Sequence, residues 1–109
     1  MPPEDLNIVT KNGMAIQNIS NPSNEVQLAA ITQNPYAITR IKKEICTEEA
    51  KILAVSKEPF LITYISNPSE EVMLAAVKRN GCALFNILQY NPSPRVLQEA
   101  VKQNPNLKI

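Results

Sequence analysis

"ISNPSNEVQLAAIT" spans residues 19–32, and "ISNPSEEVMLAAVK" spans residues 65–78. Ten of the fourteen letters are identical across this 46-residue step. Self-similarity at a fixed period is the mark of a repeat architecture, so the period is sought first. The dipeptides Asn12-Gly13, Asn34-Pro35, Glu58-Pro59, Asn80-Gly81 and Asn104-Pro105 each follow a short apolar run, at spacings of 22, 24, 22 and 24 residues. The 46-residue match is therefore a double step with a less obvious copy inside it. The four units are "NGMAIQNISNPSNEVQLAAITQ" (12–33), "NPYAITRIKKEICTEEAKILAVSK" (34–57), "EPFLITYISNPSEEVMLAAVKR" (58–79) and "NGCALFNILQYNPSPRVLQEAVKQ" (80–103). The second and fourth carry two extra residues in the middle, where a loop can absorb them.

Each unit reads as two helices. The first is short and is opened by Gly13, Pro35, Pro59 or Gly81. Proline is tolerated at a first helical position because that N–H lacks a partner anyway. Asn12, Asn34, Asn80 and Asn104 stand just before as N-caps, or as the last residues of the preceding helix. Apolar residues recur at Ala15, Ile16, Ile19; Ala37, Ile38, Ile41; Leu61, Ile62, Ile65; and Ala83, Leu84, Ile87. An i, i+1, i+4 pattern makes one stripe on a helix.

The second helix of each unit starts after Ser23, Thr47, Ser69 or Ser93, whose hydroxyl oxygens can accept a free backbone N–H. Glu25, Glu48, Glu49, Glu70 and Glu71 follow in first turns, where negative charge complements the helix end. Val26, Ala50, Val72 and Val96 form one column; Ala30, Ala54, Ala76 and Ala100 form another. Alanine in every copy predicts crossings too close for a larger side chain. No period-two strand pattern appears. Residues 3–11, "PEDLNIVTK", align with a second helix, and "NPNLKI" (104–109) begins a fifth unit and stops. In the last full unit Gln98 and Glu99 replace the apolar pairs Leu28-Ala29, Ile52-Leu53 and Leu74-Ala75. A repeat without a neighbour on one side turns polar there. The fold expected is all-α: an α-solenoid of four helical-hairpin repeats of 22–24 residues in one domain, 1–109. It has a half-repeat at 1–11, units at 12–33, 34–57, 58–79 and 80–103, and a truncated unit at 104–109.

The units resemble the short helix-turn-helix repeats, of unknown function, found in bacterial and phage proteins; "NPSEEVMLAAVKRNGCALFNI" (67–87) carries that resemblance best. "NPSPRVLQEAV" (91–101) resembles the Asp-Pro-type opening of a HEAT-like repeat helix, with Ser in place of Asp. The resemblance implies right-handed stacking of antiparallel helix pairs and a role in binding proteins, less often nucleic acid. It implies no catalytic residue.

Composition narrows the chemistry. With 11 Lys and Arg against 10 Asp and Glu, the net charge is +1, so no strong field draws nucleic acid or an anionic membrane. There is no histidine, and only Gly13 and Gly81 are glycines, so phosphate loops, nucleophile elbows and histidine-based metal sites are absent. Neither an enzyme nor a cofactor or metal is expected. Cys46 and Cys82 are far apart and suit a reducing cytoplasm. Each is expected to serve as a small apolar side chain rather than a reactive thiol. "MPPEDLNIVT" reads as neither a signal peptide nor a membrane anchor.

Two groups of residues are candidate contact sites. Met14 and Asn18, Tyr36 and Arg40, Phe60 and Tyr64, Cys82 and Asn86 are each four apart on a first helix, which would place each pair on one face. That face varies between units and carries aromatic and Arg residues, the types that anchor interfaces. Tyr36, Arg40, Phe60, Tyr64, Phe85 and Tyr90 are the expected partner-binding residues of a protein-binding scaffold. An inhibitor or adaptor acting on a host protein is the concrete phage-type version. The alternative is nucleic-acid binding through Arg40, Lys42, Lys43, Lys57, Lys78 and Arg79, whose charge otherwise complements helix C-termini or sits in a solvated turn. A third reading is self-assembly, with the repeat ends pairing between copies as a homo-oligomer.

Overall fold

The structure, a computed structural model, describes residues 3–107. Met1 and Pro2 of the expected half-repeat, and Lys108 and Ile109 of the truncated unit, lie outside the described residues. The described residues are helical, with no strand among them. Five α-helices, α1 (Pro3–Lys11), α2 (Asn24–Gln33), α3 (Glu48–Lys57), α4 (Glu70–Arg79) and α5 (Pro94–Gln103), alternate with short 3-10 helices. These are η1 (Gly13–Asn18), η2 (Pro35–Arg40), η3 (Pro59–Tyr64) and η4 (Gly81–Asn86); a one-turn η5 (Leu88–Tyr90) follows η4. The expected alternation of a short helix and a longer one is present, but the short helices are 3-10 rather than α.

Local chemistry explains most of the helix boundaries. Ser23, Ser69 and Ser93 accept from the backbone N–H three residues on, at Val26, Val72 and Val96. Thr47 Oγ1 accepts from Ala50 N–H at 3.1 Å. Each bond satisfies one donor that the helix start would otherwise leave orphaned. The asparagines do both of the jobs expected of them. Asn34 and Asn80 end an α-helix by donating their N–H to Ala30 O and Ala76 O. Their side chains then cap the 3-10 helix by accepting from Tyr36 N–H and Cys82 N–H. Asn12 likewise donates to Ile8 O and accepts from Met14 N–H. Glu58 stands at the same position before η3 without a side-chain cap bond.

The 3-10 geometry reassigns the apolar stripe. With 3.0 residues per turn, residues three apart eclipse. The buried column is thus Pro59, Ile62, Ile65 in one copy and Gly81, Leu84, Ile87 in another, with Leu61 and Ala83 flanking it. The i, i+1, i+4 pattern of the sequence fits this column as well as it fits an α-helical stripe, because a six-residue segment is too short to separate the two periods.

The chain divides into two compact units, Met1–Ala54 and Val55–Ile109, with the boundary inside α3. Each has two layers. In the first, α1 packs on α2 and η1 on η2, with α2 against both 3-10 helices. In the second, α4 packs on α5 and η3 on η4, with α4 against both 3-10 helices. The valine-alanine column is fully inaccessible, and so is the column of Ala30, Ala54, Ala76 and Ala100. Burying each Ile, Leu or Val of the core stabilises the fold by roughly 1.5–3 kcal/mol. The alanines mark close crossings, and glycine completes two of them. A Cβ on Gly13 would collide with the Ala30 carbonyl oxygen, and one on Gly81 would lie 2.5 Å from that of Ala100. These glycines do more than open a helix; they let a 3-10 helix touch the backbone of the α-helix beneath it.

Candidate functional site

The solvent face of each 3-10 helix is built by its second, fifth and sixth residues. On η2 these are Tyr36, Thr39 and Arg40, and on η3 they are Phe60, Thr63 and Tyr64, all exposed. On η4 they are Cys82, Phe85 and Asn86, of which Phe85 is exposed and the other two half-buried. The pairs four apart, expected to share one face, do not stack: in a 3-10 helix they stand about a third of a turn apart. The residue beneath Phe60 is Thr63, whose hydroxyl donates to the Phe60 carbonyl at 2.9 Å. Thr39 donates to the Tyr36 carbonyl in the same way at 2.7 Å. Both hydroxyls are consumed within their own turn, so the part of the face left to meet a partner is the ring.

Tyr36 and Arg40 belong to the first unit; Phe60, Tyr64, Phe85 and Tyr90 belong to the second. In the second unit η3 and η4 adjoin, and their large apolar side chains are open to solvent: Phe60 46%, Tyr64 60% and Phe85 58%, with Leu88 of η5 at 46%. Tyr90 is half-buried. In the first unit Tyr36 is 48% exposed. The aromatic at the second position is thus open in η2 and η3, while Met14 and Cys82 at that position are half-buried. Cys82 Sγ accepts from Asn104 Nδ2 at 3.3 Å, a packing role.

The basic residues Arg40, Lys42, Lys43, Lys57, Lys78 and Arg79 are all exposed. Lys57 ends α3, and Lys78 and Arg79 end α4, where positive charge complements the helix C-terminus. Acids gather at the opposite ends. Arg95 reaches Glu70 at 3.4 Å and Glu71 at 3.5 Å, but the groups are 41–63% exposed and add little to stability. No cluster of three or more His, Cys, Asp or Glu side chains that could hold a metal ion occurs among the described residues. No helix among them is long and apolar enough to cross a membrane.

Sequence reasoning missed Gln27. It is the one buried polar side chain among the described residues, 1% exposed. Its Nε2 donates to Pro22 O at 3.1 Å and Ile45 O at 2.9 Å, and its Oε1 accepts from Thr47 N–H at 3.0 Å. One amide therefore ties the loop before α2 to the loop before α3. The available signal was Gln27 where the near-identical copy has Met73. The caps also form lateral bonds: Thr47 Oγ1 donates to Asn24 Oδ1 at 2.6 Å, and Ser93 Oγ donates to Glu70 Oε1. Cys46 is half-buried, and burial pushes its thiol pKa above the ordinary value, with Lys51 opposing weakly. A thiol held protonated is a poor nucleophile. Compared with known protein families, curated proteins and solved structures, the chain matches none.

Proposed function

We propose that the chain is a non-enzymatic, protein-binding scaffold of the α-solenoid type, whose repeated hairpins hold aromatic anchors on their short helices. The observation that carries this reading is the exposure of Phe60, Tyr64 and Phe85 on two adjoining 3-10 helices, above a core that buries every neighbouring aliphatic residue of those helices. Large rings with few rotatable bonds lose little entropy on docking and supply most of the binding energy where they anchor an interface. A 3-10 helix pinned on the α-helical layer keeps them in place before the partner arrives, which lowers the cost of association. An inhibitor or adaptor acting on another protein is the concrete form of this role.

Affinity purification followed by mass spectrometry tests it, with the native chain compared with Phe60→Ala/Tyr64→Ala/Phe85→Ala. The expected result is a protein retained by the native chain and lost by the variant, at an unchanged melting temperature. Retention of the same proteins by both would end the reading. Tyr36→Ala in the same assay asks whether the first unit contributes an anchor of its own.

A further inference from the structure

The first unit contains a cleft of about 190 Å³ between the ends of η1 and η2 and the loops that follow them. Its floor is apolar, formed by Ile16, Ile19, Ile41 and Ile45, and its rim carries Arg40 and Lys42. Asn18 and Ser20 add neutral hydrogen-bonding groups. No carboxylate lines the cleft among the described residues, and neither rim cation makes an ion pair there. The sequence places five bases and six acids in residues 1–54, so this positive rim is a local arrangement and not a consequence of the unit's overall charge.

We propose that this cleft binds a phosphate monoester carried on a small apolar body. Guanidinium offers a planar fork that fits two oxygens of a phosphate, and ammonium adds a point charge from a second direction. The isoleucine floor removes water from the apolar part of the ligand, which separates this cleft from the other exposed bases of the chain. Its volume is below the roughly 300 Å³ at which drug-sized pockets begin, so the fit is to a ring or short chain bearing one phosphate. The lining chemistry also sets the preference: two cations on a rim that holds no carboxylate favour a dianion over a monoanion.

The test uses phenyl phosphate, inorganic phosphate, benzoate and phenol as probes, titrated into the full chain and followed by amide chemical shifts. Phenyl phosphate is expected to shift residues 16–20 and 40–45 saturably, inorganic phosphate more weakly, benzoate more weakly still and phenol not at all. Arg40→Gln should weaken the phenyl phosphate response at least about tenfold, because a charge-assisted pair is lost. Lys42→Gln should weaken it less, and Lys57→Gln, outside the cleft, should leave it unchanged. Both cleft residues are exposed, so the variants are expected to keep the native amide spectrum elsewhere. Four results would overturn the proposal: no response to phenyl phosphate, an equal response in Arg40→Gln, an equal response to phenol, or equal shifts around Lys78 and Arg79.

Discussion

Residues 41–47 and 87–93 are the same connection in the two units: each joins a 3-10 helix to the next α-helix and carries the two additional residues. The units close it differently. In the first, Ile45 and Cys46 N–H groups turn back onto Lys42 O, and the buried Gln27 amide takes up Ile45 O and Thr47 N–H. In the second, the chain winds on into η5, Tyr90 and Asn91 donate to Ile87 O and Leu88 O, and Asn91 takes a left-handed conformation at φ 52°. Where Gln27 would be, Met73 packs at 6% exposure. A loop closed by its own turn leaves its neighbour free to be apolar. A loop that leaves polar backbone groups facing inward must be met by a buried amide, because an unpartnered polar group costs more than the bond itself contributes.

The sharpest way to break that contrast is to exchange the two residues. Gln27→Met should destabilise the first unit by about 3 kcal/mol, since it strands two carbonyls and one N–H. Met73→Gln should cost about 2 kcal/mol, since it buries an amide without partners. Urea denaturation gives the size of each effect. Hydrogen exchange read separately over residues 3–54 and 55–107 tells whether it stays in its own unit. Two neutral exchanges would mean that the loops do not depend on these side chains.

Glycine tests what the units share. Gly13→Ala and Gly81→Ala should each lower stability by about 2 kcal/mol, because the added methyl meets carbonyl oxygen and not a yielding side-chain tip. Similar losses in thermal melts of both variants would support one packing rule; a loss in only one would divide the units further. The turn itself is probed by Asn91→Ala, expected to cost about 1 kcal/mol through its positive φ, with Asn91→Gly recovering most of it. Ile45, its counterpart, has no positive φ, so Ile45→Gly should bring no recovery of this kind.

The smallest effect concerns Cys46, whose counterpart is Pro92. Burial raises its folded pKa above the ordinary value of a thiol. The protonated thiol is therefore the form the fold favours, and its contribution is complete below about pH 9. It is lost as pH rises through the folded pKa, because the unfolded chain ionises first. Denaturation at pH 8 and at pH 10 should show a slightly larger loss for the native chain than for Cys46→Ala. Alkylation of Cys46 by iodoacetamide at pH 8 should be slower than that of a free thiol.

Short-range chemistry was legible in the sequence. Ser23, Thr47, Ser69 and Ser93 cap as expected because a hydroxyl and the N–H three residues on meet whatever surrounds them. Pro3–Lys11 forms the α-helix that its alignment with second helices indicated, and the valine and alanine columns are buried, as the recurrence of small apolar residues at the same positions of every copy indicated. The exposure of Phe60, Tyr64 and Phe85 agrees with the variation of those positions from unit to unit, although variation alone does not separate an open ring from a packed one.

Tertiary structure decided the rest. The choice of 3-10 over α in the short helices follows from their fit on the α layer, as six residues carry too weak a period to choose for themselves. Gly13 and Gly81 read as helix openers until the Ala30 and Ala100 carbonyls were found against them. Gln27 is one letter among surface-like glutamines until a loop 18 residues away brings it a carbonyl to bind. Bonds that close within three or four residues are encoded where they occur, whereas a close approach or a buried polar partner depends on what the rest of the chain delivers to that point.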